Sequence, residues 1–298
     1  MANLRDIRRR IKSVKSTSQI TKAMQLVAAA KMKKAQNQAL AGRDYADEMN
    51  KVLTNLKANV DENAHPLLEV REGGKTLMLV ISTNKGLCGG LNTNLLKKVR
   101  EEADENTHFV TVGRKLRTSL AKSGETLVAD FEVSDPVPFS EARPIAKFLT
   151  EKFLSGEYNK VQVAFTNFVT TLRQDPWVTQ LLTIESDTLA KKRAYEGVGK
   201  DKIKETDKEE ALASDYIFEP SPEAVLDTLL PLYINFQVYQ MLVESLASEH
   251  SSRMVAMKSA TDNAEQMVKD LTLEYNKARQ AAITSELLEI TTAQKAME

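Results

Sequence analysis

The chain has 298 residues, enough for one large domain or two ordinary ones. Its 41 Lys and Arg balance 41 Asp and Glu, so bulk charge does not mark it as a nucleic-acid binder. A single cysteine, Cys88, excludes an internal disulfide framework and fits a reducing compartment, and no apolar run is long enough to cross a membrane as a helix.

Glycine and proline divide the chain into three parts. Residues 1–65 contain only Gly42 of the two classes, and residues 232–298 contain neither. Leu4, Ile7, Ile11, Val14, Ser18, Thr21, Gln25, Ala28, Met32, Ala35, Ala39, Gly42, Ala46, Met49, Leu53, Leu56 and Val60 follow one alternating three-and-four spacing. That register, held for about eight heptads, predicts one long helix with the period of a left-handed coiled coil. Asn3 is the expected N-cap, with Asp6 three residues on. Residues 1–36 carry ten Lys and Arg against the single acid Asp6. This is also the composition of a transit peptide, but the periodicity runs on without a break, which argues against one.

The middle alternates strand and helix. "TLMLVIST" (76–83) has the length and composition of a buried strand, and "NTNLLKKVREEADEN" follows as helix. "THFVTVG" and "TLVADF" read as strands, "RKLRTSLAKSG" and "SEARPIAKFLTEKFLSG" as helices, and "KVQVAFTNFVT" and "WVTQLLTIES" as two further strands. The pattern predicts a mainly parallel α/β sheet. Residues 186–215 are half charged, as in a solvated segment rather than a core.

The last third repeats the heptads through Val225, Leu229, Leu232, Phe236, Tyr239, Val243, Leu246, His250, Arg253, Met257, Ala260, Ala264, Met267, Leu271, Glu274, Ala278, Ala281, Ser285 and Leu288. Ser221 and Pro222 read as an N-cap and a proline in the first turn. Pro231 is expected to kink or break this helix, because it lacks a donor and crowds the preceding turn. Both seams mix polar residues with alanine, which permits close approach but buries little apolar area per turn. Ala28, Ala35, Ala260 and Ala264 are expected on a mutual seam.

Catalytic chemistry is sparse. The loop "NKGLCGGLN" (84–92) lies between strand and helix, where phosphates often bind, but lacks the Walker and G-x-G-x-x-G spacings. A tight strand-to-helix turn is the alternative. His65, His108 and His250 form no spaced set, none is near Cys88 in sequence, and no Cys/His cluster suggests a metal. No cofactor is expected. The basic first helix can face phosphate backbones, an anionic membrane surface or acidic protein surfaces. It lacks the interleaved aromatics of the first and the Trp and Phe anchors of the second, so acidic protein suits it best.

"RRRIKSVKSTSQITKAMQLVAAAKMKKAQ", "STNKGLCGGLN", "YIFEPSPEAVLDTLLPLYINFQVYQMLVESLASEHSSRMVAMKSATDNA" and "ITSELLEI" (283–290) together resemble the gamma-subunit family of F-type ATP synthases over essentially the whole chain. Ala293 and Gln294 stand where the terminal signature usually has Gly-Ala. The charged 186–215 segment lacks the paired cysteines of the chloroplast type, and residue 1 falls inside the family's first helix, which suits a bacterial protein without a transit peptide.

The resemblance implies an antiparallel left-handed coiled coil of residues 1–65 and 221–298, with a central Rossmann-like α/β domain at 75–215. It implies a non-catalytic rotor shaft inside a ring of alpha and beta subunits, resting on the c-ring beside epsilon, at the cytoplasmic face of the bacterial plasma membrane. It does not span that membrane and binds no nucleic acid. The resemblance points Lys22, Met24, Lys31, Lys33, Arg253, Thr284 and Glu286 at beta subunits, and Tyr216 and Phe218 at the c-ring.

Overall fold

The computed structural model describes residues 4–58, 65–69, 71, 73–183, 219 and 221–297. Among the described residues, ten elements run in chain order: α1 (Leu4–Ala58), β1 (Thr76–Ile81), α2 (Leu91–Glu102), β2 (Thr107–Val112), α3 (Arg114–Lys122), β3 (Leu127–Phe131), α4 (Phe139–Leu154), β4 (Lys160–Phe168), β5 (Gln174–Leu182) and α5 (Pro222–Met297). The segment 186–215, Asn3, Tyr216 and Phe218 lie outside the described residues. Contacts divide the chain into two compact units, residues 29–253 and residues 1–28 with 254–298.

Residues 29–253 are organised by a five-stranded sheet in the order β3-β2-β1-β4-β5. All neighbours are parallel except the β4–β5 hairpin. β1 is continuously apolar because both faces are covered. Its Leu77, Leu79 and Ile81 pack with Ile145, Leu149 and Phe153 of α4 and Ile234, Val238 and Leu242 of α5. On the other face, Met78 and Val80 meet Leu95 and Val99 of α2 and Leu116 and Leu120 of α3. β5 is an edge strand, where the missing N–H of Pro176 is tolerated. The turn from β2 into α3 requires Gly113: its φ is 93°, and a Cβ there would stand 2.2 Å from the Ser82 carbonyl oxygen.

Ser221 caps α5 as its sequence indicates, its Oγ accepting from the Ala224 N–H at 3.3 Å. Of the kink or break expected at Pro231, the break does not occur; α5 runs through it as helix. Pro231 and Asp227, whose carbonyl loses its helical donor, are both exposed, so water can satisfy the freed oxygen. Buried Leu226, Leu230, Tyr233 and Ile234 hold the helix on both sides of the proline. From Val238 to Ser251 the helix is buried on most sides, including Gln240, Glu244, Ser248 and His250. Here α1 lies antiparallel to it. A Cβ on Gly42 would meet Gln240 Oε1 at 2.9 Å and Phe236 Cζ at 3.2 Å. Gln240 Nε2 donates to the Ala39 carbonyl at 3.3 Å, and Ala35 packs with Ala247.

In residues 1–28 and 254–298 burial is one-sided. On α1 the positions of the heptad reading are protected: Ile7, Ser18, Thr21 and Ala28 are buried, Leu4, Ile11, Val14 and Gln25 partly so, with Met24 partly buried beside them. On α5 one column agrees (Met257, Ala264, Leu271, Ala278), but the other is displaced by one residue. Thr261, Val268, Tyr275 and Ala282 are protected in place of Ala260, Met267, Glu274 and Ala281, of which Ala260 is only partly buried and the others exposed. A polar pair decides this. Thr21 and Thr261 share a buried hydroxyl contact of 2.7 Å in which one hydroxyl donates to the other, and the accepting hydroxyl gives its own proton to a carbonyl of its helix, so the threonine takes the seam that apolarity alone assigns to its neighbours.

Ala28 is 2% exposed. Ala28→Leu is expected to cost about 1–3 kcal/mol by overpacking, whereas Met267→Gln, on the exposed face, should change stability by less than about 0.5 kcal/mol. Urea unfolding of the two variants checks both the seam and its register.

Candidate functional site

The connections of the sheet diverge between β1 and β4, and open α/β sheets take ligands at such a point, outside the carboxyl ends of the strands. Here the chain's own α5 occupies it. Ser248 Oγ donates to the Thr166 carbonyl at 3.0 Å, Ser251 Oγ to Thr171 at 2.7 Å and Ser252 Oγ to Cys88 at 2.7 Å. Arg253 donates to the Gly86 and Lys85 carbonyls at 3.2 and 3.3 Å. The β1–α2 loop is braced internally as well: Asn92 Nδ2 donates to Thr83 Oγ1 at 2.8 Å, and Thr83 Oγ1 to the Lys85 carbonyl at 2.7 Å. The glycine-rich loop therefore presents carbonyls to a helix. The turn reading describes what its residues do.

A charged cluster lies beside this joint. Arg253, 8% exposed, pairs with Glu249 at 2.6 Å and places a guanidinium nitrogen 3.4 Å from His250 Nδ1. Guanidinium only donates, so Nδ1 accepts and the imidazole proton sits on Nε2. That nitrogen lies 3.2 Å from Asp135 Oδ2, which also receives Lys31 Nζ at 2.6 Å. Burial lowers the His250 pKa, and Asp135 only partly opposes this. Burial pushes the Asp135 carboxyl up, but the hydrogen bond from Lys31 and the nearby His250 more than offset it, leaving it below its ordinary value. Burial raises Glu249, with Arg253 opposing, and burial raises the Cys88 thiol, which leaves it a poor nucleophile.

The residues assigned to partners fall into distinct settings. Lys22, Lys33, Thr284 and Glu286 are exposed, and Met24 is partly buried. Lys31 is engaged with Asp135 and Arg253 with its loop, so both have internal partners. The sequence reading passed over two apolar surfaces. Ile20, Leu26 and Val27 are 58, 66 and 57% exposed on α1, and Leu287, Leu288 and Ile290 are 58, 62 and 62% exposed on α5. Large aliphatic residues off the heptad positions were their signal, except for Leu288, which the heptad series places on the seam and the structure leaves exposed; the Asp135 cluster had no signal, being assembled from three distant segments.

The profile of the family described as ATP synthase matches residues 3–297. The ATP synthase gamma chain of Akkermansia muciniphila is 51% identical over 301 residues, covering 100% of both chains. That of Methylacidiphilum infernorum is 46% identical, again over 100% of both, and that of Opitutus terrae 47% over 99% of this chain and 98% of its own. The chain belongs to the ATP synthase gamma family. Its fold is that of a chain in the rotor of Euglena gracilis mitochondrial ATP synthase, with a TM-score of 0.66 at 19% identity, covering 94% of this chain and 98% of the other. A chain from the central stalk and c-ring structure of the Tetrahymena thermophila mitochondrial enzyme aligns with a TM-score of 0.60 at 25% identity, over 81% of this chain and 99% of its own.

The lowered His250 pKa has a thermodynamic consequence. The folded chain binds fewer protons at this site than the unfolded chain, so its contribution is full above about pH 6.5 and lost as pH falls below that value. Asp135, also lowered, loses its contribution only below about pH 3.9, and raised Glu249 has the opposite slope just above the usual carboxylate range. Urea unfolding from pH 8 to 5 should show stability falling on the acid side of 6.5, and His250→Gln should flatten that decline. An unchanged slope in the variant contradicts the assignment.

Proposed function

We propose that the chain is the central-stalk shaft of a bacterial proton-translocating F-type ATP synthase, coupling rotation driven by ion flow to ATP synthesis or hydrolysis at a surrounding ring of alpha and beta subunits. It catalyses nothing itself. The observation that carries this is the one-sided burial of residues 1–28 and 254–298: one narrow seam, in which Ala28, Thr21, Thr261 and Ala264 alternate with Ile7 and Met257, is covered, while Ile20, Leu26, Val27, Leu287, Leu288 and Ile290 are left on the outside. Long helices that expose large aliphatic side chains need a partner to cover them, and the family supplies a ring.

Residues 1–65 and 221–298 act as the shaft and 75–215 as the foot, with epsilon beside it and the c-ring beneath, at the cytoplasmic face of the membrane. No helix among the described residues is long and apolar enough to cross a membrane. Lys22, Met24, Lys33, Thr284 and Glu286 meet beta subunits during the turn, with Lys31 and Arg253 reaching them only by sharing their internal partners. Tyr216 and Phe218 meet the c-ring.

The mechanism follows from asymmetry. A shaft that contacts each of three chemically identical beta subunits differently biases each toward a different conformation, by no more than its differential interaction energy. Coupling is reciprocal, so nucleotide state also drives the shaft.

Exposed ion pairs contribute about 0.2–1 kcal/mol each, and a turning shaft cannot hold one very strong contact at a single angle. Single neutralisation of Lys22, Lys33 or Lys34 should leave assembly intact and change coupling slightly. Replacing all three with Gln should reduce ATP-driven pumping relative to hydrolysis, and added salt should mimic this in the wild type. Normal pumping by the triple variant at low and high salt means that these lysines only face solvent. Co-elution of the chain with purified alpha and beta subunits tests the assignment itself, and its failure removes it.

A further inference from the structure

The loop between β3 and α4 grips both long helices at two levels. At the first, Asp135 Oδ2 lies 2.6 Å from Lys31 Nζ on α1 and 3.2 Å from His250 Nε2 on α5. At the second, two residues on, Gln38 Nε2 of α1 donates to the Val137 carbonyl at 2.6 Å and to the Tyr239 hydroxyl of α5 at 2.7 Å. Val137 itself is 1% exposed within the core that includes Ile145 of α4 and Val238 of α5. A loop of the α/β domain is thus bonded to α1 at both levels, sets its Asp135 carboxylate at ion-pair distance from the buried His250 of α5, and is joined to the helix pair at once through Gln38. Glu141 of α4 holds the loop from behind, accepting from the Ser134 N–H and hydroxyl at 2.6 Å each.

We propose that the β3–α4 loop is a torque clamp, with Asp135 and Gln38 as its positioning residues: it makes α1 and α5 turn as one body with the sheet when rotation reaches the α/β domain. This rests on the shaft reading. The physical case is one of stiffness. Packed alanines resist separation of two helices but offer little against sliding or twisting of one along the other, because small side chains interdigitate shallowly. Directional bonds from a third element supply that resistance. The first tie is charge-assisted and engages a His250 that is 3% exposed, so water competes little for its inner half. The second is neutral and bidentate in effect, joining loop carbonyl and α5 hydroxyl through one amide. The groups facing Asp135 are Lys31 from α1 and His250 from α5, with Arg253 and Glu249 behind the imidazole.

The test uses the assembled synthase in inverted membrane vesicles, comparing wild type, Asp135→Asn, Asp135→Glu and Gln38→Leu. Two readouts are needed: the ATP hydrolysis rate and the proton uptake per ATP hydrolysed. The clamp predicts that both Asp135→Asn and Gln38→Leu hydrolyse ATP within about twofold of wild type but pump about threefold less per ATP, and that Asp135→Glu restores the ratio. Wild-type pumping per ATP in assembled Asp135→Asn and Gln38→Leu complexes overturns the clamp, as does a parallel fall of hydrolysis and pumping. A wild-type ring that hydrolyses and pumps equally well without this chain overturns the shaft reading instead.

Discussion

The close approach of two helices along a seam rich in alanine, threonine and glycine is the constraint on which the rest of the structure depends. On α1, Ala28, Ala35, Ala39 and Gly42 fall on the protected side, and Gly42 sits where a Cβ would meet Gln240 and Phe236. Such a seam is slim, and it buries too little apolar area to hold long helices together on its own. Two consequences follow. Around residues 29–253 the deficit is met by the sheet, whose core encloses α5 from Val238 to Ser251. Beyond Arg253, the helices keep only the seam and expose aliphatic residues on their other faces.

That division explains why α5 changes character along its length. Its buried stretch carries serines, Gln240, Glu244 and His250, polar groups that a core normally excludes. They occupy the crevice where an open α/β sheet would hold a ligand, and Ser248, Ser251, Ser252 and Arg253 donate to carbonyls there. The fold's ligand crevice has become a mechanical joint. Each of these four side chains donates to a backbone carbonyl, which fixes the helix in rotation as well as in position.

Much of this was legible in the sequence because it is periodic. The α1 register, the alternation of strand and helix, and the Ser221 cap each follow from local rules, and the structure agrees with them to within a few residues. The failures are local rules overruled by tertiary contacts. Pro231 does not break α5, since the exposed carbonyl it frees is open to water and the flanking Leu230 and Tyr233 are anchored. One column of the α5 seam shifts by a residue because Thr261 finds Thr21. Asp135 reaches Lys31 and His250 across more than a hundred residues of chain in each direction, a meeting that no spacing announces. Lys31 was legible as basic and surface-placed, but not as already paired.

The central claim is that this chain turns inside a ring. The most direct measurement is single-molecule rotation: alpha and beta subunits are fixed to a surface, a bead is attached to the α/β domain of this chain, and ATP is added. The account predicts unidirectional rotation that requires ATP and pauses three times per turn, once for each beta subunit. Steady ATP hydrolysis by a ring containing the chain, with the bead showing only undirected fluctuation, would contradict it.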